Sequence, residues 1–232
     1  MLEIGAILVD FDGTACLHDV AEHLLEEYGD PSWPEYDEAW ARGEMDGRAA
    51  ITAQAAMVDA APEDLVGYAI AHCSMDPTFA PFVEWSRERE VPVTLVSDGF
   101  GLYIEPLLRS AGIDGVTVVT NRWNGAVDAL TRISFANGHP ECVGCGTCKM
   151  LAVQRARAEG PVVFVGEGQS DRYGALYSDL VFAKDALVAI CEADGVPFLL
   201  WNDFDDVRGA LEGQRDLPGP VAPARCPGWR LR

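Results

Sequence analysis

Two aspartates near the start of the chain are the residues whose spacing points most directly to chemistry. Asp10 and Asp12 lie in the run Asp-Phe-Asp-Gly-Thr, which directly follows an apolar stretch typical of a β-strand. Two carboxylates in this arrangement can share a cation while one attacks a phosphorus atom and the other transfers a proton. Gly13 permits the sharp turn that such an arrangement needs. The alternative is an aspartate-rich turn without chemistry.

Two further segments carry side chains that suit phosphate binding. Ser97-Asp98-Gly99 directly follows an apolar run at residues 91–96, and its hydroxyl and backbone N–H groups can hold phosphate oxygens. Alone, this tripeptide is equally typical of a helix N-cap. Lys149 begins a predicted helix, where a cation is unfavourable unless an anion lies nearby. It is therefore either a phosphate clamp or an ordinary surface lysine.

A fourth segment supplies two more acids. Residues 166–171 read Gly-Glu-Gly-Gln-Ser-Asp and follow a predicted strand, so Glu167 and Asp171 are four residues apart. This spacing directs both carboxylates toward one ion. A six-oxygen site made of Asp10, the Asp12 backbone carbonyl, Glu167, phosphate and waters is what Mg²⁺ favours. Helix capping by Asp171 is the alternative.

The predicted elements place these segments at one edge of a sheet. Short apolar runs without alternation are typical of parallel strands buried on both faces, and they lie at residues 5–9, 91–96, 116–120, 161–165 and 179–183. Helical patterns between them lie at residues 102–111, 149–158 and 171–177. The chain therefore predicts an α/β fold with a doubly wound parallel sheet, in which ligands bind at the carboxyl ends of the strands.

One long segment and one short segment interrupt this alternation. Residues 15–90 show helical, alanine-rich and acidic patterns without a convincing strand, which predicts a small helical cap inserted after the first strand. Asn-Gly turn signals at residues 124–125 and 137–138 predict a hairpin. The expected organisation is an α/β core at 1–14 and 91–213, the cap at 15–90, a hairpin and Cys-rich loop at 122–148, and a tail without chemistry at 214–232.

The composition of the chain argues against some classes of binding partner. The 232 residues have a formal net charge of −20, from 17 basic and 37 acidic side chains, which argues against nucleic acid. No apolar run approaches the roughly 18 residues that span a bilayer, and the first residues lack a basic region and a cleavage site. We expect a cytoplasmic protein that acts on a small molecule and not on a membrane. The oligomeric state is not determined by these patterns.

Four potential metal ligands precede Lys149. His139, Cys142, Cys145 and Cys148 have ligand types that suit a tetrahedral Zn²⁺ site, although four ligands within ten residues would strain one tetrahedron. Packed thiols that order the loop are the alternative. The seven cysteines are an odd number, which favours thiols over a disulfide framework.

Taken together, the four motif segments resemble the motif set of the haloacid dehalogenase-like phosphatases, up to about residue 213. The resemblance implies a Rossmann-like core, Asp10 as nucleophile and Asp12 as general acid and base. The phosphate-binding residues implied by it are Ser97, Asp98, Gly99 and Lys149. The Mg²⁺-binding residues implied by it are Asp10, Asp12, Glu167 and Asp171.

The helical insertion resembles the cap of the phosphoserine phosphatase-like branch. Within that branch, the chain is similar to the 2-hydroxy-3-keto-5-methylthiopentenyl-1-phosphate phosphatases of methionine salvage and to their phosphocholine and pyridoxal phosphatase relatives. Cys148 immediately before Lys149 is the most specific local feature. Two residues depart from the family pattern: Glu167 stands where aspartate is usual, and Asp98 adds a negative charge near the phosphate site.

Three polar residues of the predicted cap are candidates for selecting the substrate. His18 and Glu22 are one helical turn apart, and Arg48 is the one arginine that aligns convincingly with a role in holding an amino acid. We expect Mg²⁺-dependent hydrolysis of a small phosphate monoester through an aspartyl phosphate, with a methionine-salvage-type ester as substrate. The alternatives are phosphoserine phosphatase-like activity and a non-catalytic protein that binds phosphate or a metabolite.

Overall fold

A seven-stranded sheet forms the centre of the structure, a computed structural model that describes residues 3–125, 132–214 and 216–222. Its strands are β1 (Ala6–Val9), β2 (Val93–Phe100), β3 (Thr117–Trp123), β4 (Ile133–Ser134), β5 (Val162–Gly166), β6 (Leu180–Ala183) and β7 (Leu199–Leu200). They lie in the order β4-β3-β2-β1-β5-β6-β7, and all neighbours are parallel except β3 and β4. The predicted α/β class with a mainly parallel sheet is confirmed.

The central strands are apolar because both of their faces are covered. Every residue of β1 is buried: Ile7 and Val9 pack on one face of the sheet, and Leu8 packs on the other. Val9, the last residue of β1, pairs with Leu95 of β2 and with Val165 of β5. This register brings residues 10–12, 97–99 and 167–171 to one edge of the sheet.

Ten α-helices surround this sheet within the described ranges. They are α1 (Val20–Tyr28), α2 (Pro34–Ala41), α3 (Gly47–Met57), α4 (Pro62–His72), α5 (Phe79–Arg87), α6 (Gly101–Ser110), α7 (Lys149–Ala156), α8 (Arg172–Tyr177), α9 (Asp185–Asp194) and α10 (Phe204–Gly213). Three of these helices begin at an aspartate that caps the N-terminus. The carboxylates of Asp19, Asp46 and Asp203 accept backbone N–H groups in the first turns of α1, α3 and α10. No helix in the described part of the chain is both long and apolar enough to cross a membrane.

The segment between β1 and β2 is helical, as its pattern predicts. An antiparallel bridge joins Cys16, near the start of this segment, to Met75. Helices α1 to α4 lie between these two residues. In contrast, α5 packs against the C-terminal helix α10, where Phe79 and Phe82 contact the ring of Phe204. The helices that can cover the edge of the sheet are therefore α1 to α4.

A short hairpin extends one side of the sheet. Arg122 and Trp123 at the end of β3 pair antiparallel with Ser134 and Ile133 of β4. Residues 126–131 of the predicted hairpin lie outside the described residues. Of the predicted tail, residues 216–222 are described, and Gly219 donates its N–H to the carbonyl of Asp179 at 3.0 Å. This bond holds part of the tail beside the start of β6.

Candidate active site

The turn after β1 presents Asp10 and Asp12 at the edge of the sheet. The N–H of Asp10 donates to the carbonyl of Val165 at 2.9 Å, so the pairing with β5 continues into the turn. Gly13 has a φ of +65°, which a glycine adopts without strain. A Cβ at this position would lie 3.2 Å from the carboxyl carbon of Glu167. Glycine therefore provides both the turn and the room for the glutamate.

Lys149 is the cationic centre of the site. Its ammonium donates to Asp10 Oδ1 at 2.6 Å, to Asp171 Oδ1 at 2.5 Å and to Ser170 Oγ at 2.9 Å, so all three of its protons have acceptors. The side chain is only 2% exposed. Burial lowers its pKa, but Asp10, Asp171 and Asp98 outweigh this effect and raise the pKa above its ordinary value. Lys149 is therefore charged at neutral pH.

Three carboxylates converge around this lysine. One oxygen each of Asp10, Glu167 and Asp171 lies within 4.8 Å of the other two, and no other set of three such ligands occurs in the described ranges. The N–H groups of Glu167 and Gly168 donate to Asp171 Oδ2 at 2.9 and 3.0 Å, which orients Asp171. Hard oxygen ligands of this kind fit Mg²⁺.

The protonation of these carboxylates also indicates a need for positive charge. Burial and then Asp171 raise the pKa of Asp10 well above its ordinary value. Burial, Asp171 and Asp185 raise the pKa of Glu167 to about 7. Burial is the largest cause of both shifts, and the neighbouring carboxylates add to it. A divalent cation held by these carboxylates fits this electrostatic demand.

Asp12 has a different environment from Asp10. Its carboxylate accepts the N–H of Val20 at 2.9 Å and the hydroxyl of Ser97 at 3.2 Å. Burial, followed by Asp19 and Asp10, raises the pKa of Asp12 well above its ordinary value. A carboxyl group with a raised pKa holds its proton more readily and can act as a general acid. The side chain is not one of the three clustered metal ligands, and its predicted backbone contact with the metal stays a prediction.

The segment Ser97-Asp98-Gly99 lies where the pairing of β2 with β3 becomes irregular, between Val96 and Phe100. The N–H of Gly99 donates to Ser97 Oγ at 2.8 Å. Asp98 Oδ1 accepts the N–H of Thr147 at 2.5 Å, two residues before Lys149. Asp98 therefore connects the end of β2 to the loop that delivers the lysine, and its predicted contact with phosphate stays a prediction.

A pocket of about 250 Å³ opens above these residues. Its floor consists of catalytic-segment residues, namely Asp10, Asp12, Asp98, Gly99, Glu167, Gly168, Gln169 and Ser170. Its roof consists of residues from the helical insertion, namely Asp19, Ala21, Asp37, Trp40, Gly47, Ala50, Ile51 and Gln54. Among the described residues that line it, none is a lysine or an arginine. The pocket therefore has no basic side chain on its walls to hold a substrate carboxylate.

The three residues predicted to select the substrate lie outside this lining. His18 Nδ1 accepts the N–H of Ser74 at 3.2 Å. The guanidinium of Arg48 donates to the carbonyl of Cys145 at 3.1 Å and to that of His139 at 2.7 Å. The structure does not bring His18, Glu22 and Arg48 together with the carboxylate cluster, and their role in selecting the substrate stays a prediction.

Four residues of the pocket roof had no sequence signal for a role in binding. Asp19 is recognisable from sequence only as a helix N-cap, because the N–H of Glu22 donates to its carboxylate at 2.9 Å. Asp37 accepts the side-chain amide of Gln54 at 2.8 Å across two helices, and Trp40 lies one turn further along α2. Their convergence depends on how α1, α2 and α3 pack, which no local motif specifies.

The predicted Zn²⁺ site is not supported. His139, Cys142, Cys145 and Cys148 all lie in the described part of the chain, yet their ligand atoms form no group of three within 4.8 Å. His139 Nδ1 accepts the N–H of Glu141 at 3.1 Å, and Cys148 is buried in the apolar core at the start of α7. Cys142 and Cys145 are half-buried, so the alternative of packed thiols stays a prediction.

Comparison with a family model gives a match over residues 7–175 to the haloacid dehalogenase-like hydrolases. The bifunctional enzyme MtnB/MtnX of Bacillus licheniformis is 28% identical over 89% of this chain, which spans about half (49%) of that protein. The 2-hydroxy-3-keto-5-methylthiopentenyl-1-phosphate phosphatase of Bacillus velezensis is 23% identical, over 91% of this chain and 92% of the relative.

Solved structures share the fold. A phosphoserine phosphatase with an analogue of its phospho-aspartyl intermediate has a TM-score of 0.67 and 17% sequence identity. The alignment covers 92% of this chain and all of that chain. At 17% identity, this similarity shows a shared arrangement of helices and strands, and it covers the helical insertion.

Proposed function

Because the chain belongs to the haloacid dehalogenase-like hydrolase family, we propose that it hydrolyses a small-molecule phosphate monoester with Asp10 as nucleophile. The observation that carries this proposal is the convergence of Asp10, Glu167 and Asp171 around the buried ammonium of Lys149. The cluster lies on the floor of a pocket that is open to a ligand. If these residues formed only a structural ion pair or a helix cap, they would not need to lie beside a pocket.

The first half of the reaction forms a phosphoryl-enzyme. An oxygen of Asp10 attacks the phosphorus, and the bond from phosphorus to the ester oxygen breaks. The protonated carboxyl group of Asp12 donates its proton to the leaving oxygen, which departs as an alcohol. Lys149 holds Asp10 through one oxygen, so it orients the other oxygen for attack. Ser97 holds Asp12 by a hydrogen bond to Oδ2.

The second half returns the enzyme to its starting state. Asp12, now ionised, accepts a proton from a water molecule whose oxygen attacks the phosphorus of the aspartyl phosphate. The bond between phosphorus and the Asp10 oxygen breaks, and inorganic phosphate leaves. Asp12 thereby regains the proton that it gave to the leaving alcohol. One carboxyl group therefore serves as acid and then as base.

The residues that fit Mg²⁺ are Asp10, Glu167 and Asp171. When bound, Mg²⁺ supplies positive charge that neutralises the phosphoryl oxygens and the surrounding carboxylates. Glu167 is one methylene longer than the aspartate usual at this position, and the space beside Gly13 accommodates its carboxyl group.

We propose that the organic group of the substrate lacks a carboxylate. Among the described lining residues there is no basic side chain to pair with one, and Arg48 is engaged with backbone carbonyls. This favours an ester of the kind hydrolysed by the 2-hydroxy-3-keto-5-methylthiopentenyl-1-phosphate phosphatases over phosphoserine. The odd number of cysteines supports a reducing compartment, and we propose the cytoplasm as the site of action.

The test is phosphate release from a panel of esters, with Mg²⁺ or with EDTA, by the native chain and by Asp10→Asn. The panel includes the methylthiopentenyl ester, phosphoserine and p-nitrophenyl phosphate. We expect release only with Mg²⁺ and Asp10, and faster release from the methylthiopentenyl ester than from phosphoserine. Asp203→Asn is the matched control, because asparagine caps a helix as well as aspartate does and Asp203 lies at α10.

The outcomes separate the alternatives. Full activity of Asp10→Asn would overturn the role of Asp10. A native chain that binds Mg²⁺ and phosphate without releasing phosphate from any ester would support the non-catalytic alternative. Preference for phosphoserine would contradict the proposed substrate class while leaving the reaction class intact.

A further inference from the structure

A second cavity adjoins the catalytic pocket. It has a volume of about 70 Å³ and lies between α1, α3 and α4 on one side and β2, α6 and the end of β3 on the other. Ala21, Ile51, Gln54 and Asp98 line both this cavity and the catalytic pocket. The two spaces are therefore adjacent.

The walls of this second cavity are almost entirely apolar. Leu24, Leu25, Val58, Leu65, Phe100 and Trp123 contribute most of them. The volume exceeds the roughly 15 Å³ that one water needs and is about half of the ~150 Å³ of an engineered cavity that binds benzene. A water would find few partners there, whereas a short apolar chain would bury surface against these apolar side chains.

One polar atom near this cavity has no partner. Tyr103 lines the cavity and is 2% exposed, and its hydroxyl has no hydrogen-bond partner within the described part of the chain. A Cβ placed on Gly99, which lines the catalytic pocket, would lie 2.5 Å from this hydroxyl. The hydroxyl is therefore beside the junction of the two spaces.

The hydroxyl is available as a donor. Burial and then the charges of Asp12 and Asp19 raise the pKa of Tyr103 well above its ordinary value, so the proton stays on the oxygen. A buried hydroxyl without a partner is unfavourable, and such groups are rare in folded proteins. An acceptor atom supplied by a ligand would satisfy it.

We propose that this cavity binds the organic half of the substrate, which is a short apolar chain carrying a hydrogen-bond acceptor near its phosphate end. The chain occupies the space between Leu24, Val58 and Trp123, and the acceptor receives the hydroxyl proton of Tyr103. The inference rests on the proposed function, because it needs the phosphate to lie over Asp10. It disfavours esters of polyols and of charged groups as substrates.

The first test uses methyl, ethyl, propyl and butyl phosphate with Mg²⁺. In the native chain we expect kcat/KM to rise about fourfold for each added methylene until the cavity is full. Ala55→Leu fills the cavity from α3 and should abolish this rise. Val58→Ala enlarges the cavity and should extend the rise to longer chains. Ala80→Leu, on α5 outside both spaces, is the matched control and should keep the native dependence.

The second test addresses Tyr103 through butyl phosphate and 2-oxobutyl phosphate, which differ by one carbonyl group. We expect the native chain to prefer the oxo ester by about two- to tenfold in KM, as one neutral hydrogen bond permits. Tyr103→Phe should remove this preference without lowering the melting temperature, because it deletes only a hydroxyl that has no partner. A merely structural role for Tyr103 would not change the ratio between the two esters.

Each outcome decides one question. No hydrolysis of any ester by the native chain would overturn the proposed function and this inference with it. Hydrolysis that does not depend on chain length, or a dependence that both Ala55→Leu and Val58→Ala leave intact, would overturn the apolar subsite alone. An unchanged ester preference in Tyr103→Phe would overturn the assignment of the hydroxyl.

Discussion

Charge balance around Lys149 dominates the behaviour of individual residues in this site. One buried ammonium contacts two carboxyl groups and lies near a third, Asp98, so acidic groups outnumber cations in the cluster. Replacing Lys149 would leave these buried carboxylates without their cationic partner, which is more destabilising than losing a surface pair. The same imbalance makes the stability of the metal-free protein dependent on pH.

The direction of this dependence follows from Glu167, whose pKa is raised to about 7 by burial, Asp171 and Asp185. Between its ordinary pKa and about 7, the folded chain binds more protons than the unfolded chain, so this group lowers stability as pH rises. We expect Mg²⁺ to raise the melting temperature more at about pH 8 than at about pH 5, because ligands must be deprotonated to bind a metal.

Differential scanning calorimetry with Mg²⁺ or EDTA measures this difference. Glu167→Gln, which keeps the size of the side chain but not its charge, should show a smaller difference between the two pH values. An equal gain from Mg²⁺ at both pH values in the native chain would contradict the assignment of these carboxylates to the metal.

The residues that sequence reasoning identified share one property. Asp10, Asp12, Ser97, Lys149 and Glu167 each stand at the end of an apolar strand or the start of a helix, where local sequence reveals them. Trp40 and Tyr103 reach the two cavities only because helices pack in a particular way. The local sequence does not specify how the helices pack, so a role for these residues could not be predicted from it.

The helical insertion and the loop before α7 are linked by the side chain of Arg48 and by backbone hydrogen bonds at the start of α3. Arg48 on α3 donates to the carbonyls of His139 and Cys145, and its guanidinium lies over the ring of Phe135 at 5.5 Å from the centroid. The same loop presents Thr147 to Asp98 and ends at Lys149. The loop that contacts the insertion is therefore the loop that leads to Lys149.

Arg48→Ala should destabilise the protein by about 2–3 kcal/mol, because two hydrogen bonds from a charged donor are lost. The matched control is Arg42→Ala, also in the insertion. Arg42 forms only exposed ion pairs with Glu38 and Glu44, so its loss should cost less than about 1 kcal/mol. Urea unfolding of both variants measures the difference. Equal effects would contradict the linking role.

Prediction of the elements succeeded where each one has its own pattern. The five apolar runs correspond to β1, β2, β3, β5 and β6, because strands buried on both faces need continuous apolar residues. The two-residue strands β4 and β7 have no such pattern and exist only through pairing with longer neighbours. The packing of α5 on α10 was likewise not predicted, since it joins residues more than one hundred positions apart.

The charge of the whole molecule opposes the arrival of its proposed substrate. A net charge of −20 repels a phosphate ester at a distance, while the positive charge of the buried Lys149 acts only at short range. The range of this repulsion falls from about 30 Å at 0.01 M salt to about 8 Å at physiological salt.

We therefore expect kcat/KM to rise about two- to threefold as KCl increases over this range, at constant Mg²⁺, because the association rate is electrostatically steered. The value of kcat should change little, since the buried cluster is poorly screened. Steady-state kinetics at four salt concentrations would measure both parameters. A fall in kcat/KM with salt would show that local positive charge dominates the approach of the substrate.

The central claim is that Asp10 is transiently phosphorylated. The most direct test is to stop the reaction with acid after a few milliseconds and to map the phosphoryl group by mass spectrometry of peptides. We expect one acid-stable, base-labile phosphoryl group on the peptide that contains Asp10, dependent on Mg²⁺ and absent from Asp10→Asn. A phosphoryl group on a different residue, or turnover without any phosphorylated peptide, would contradict the mechanism.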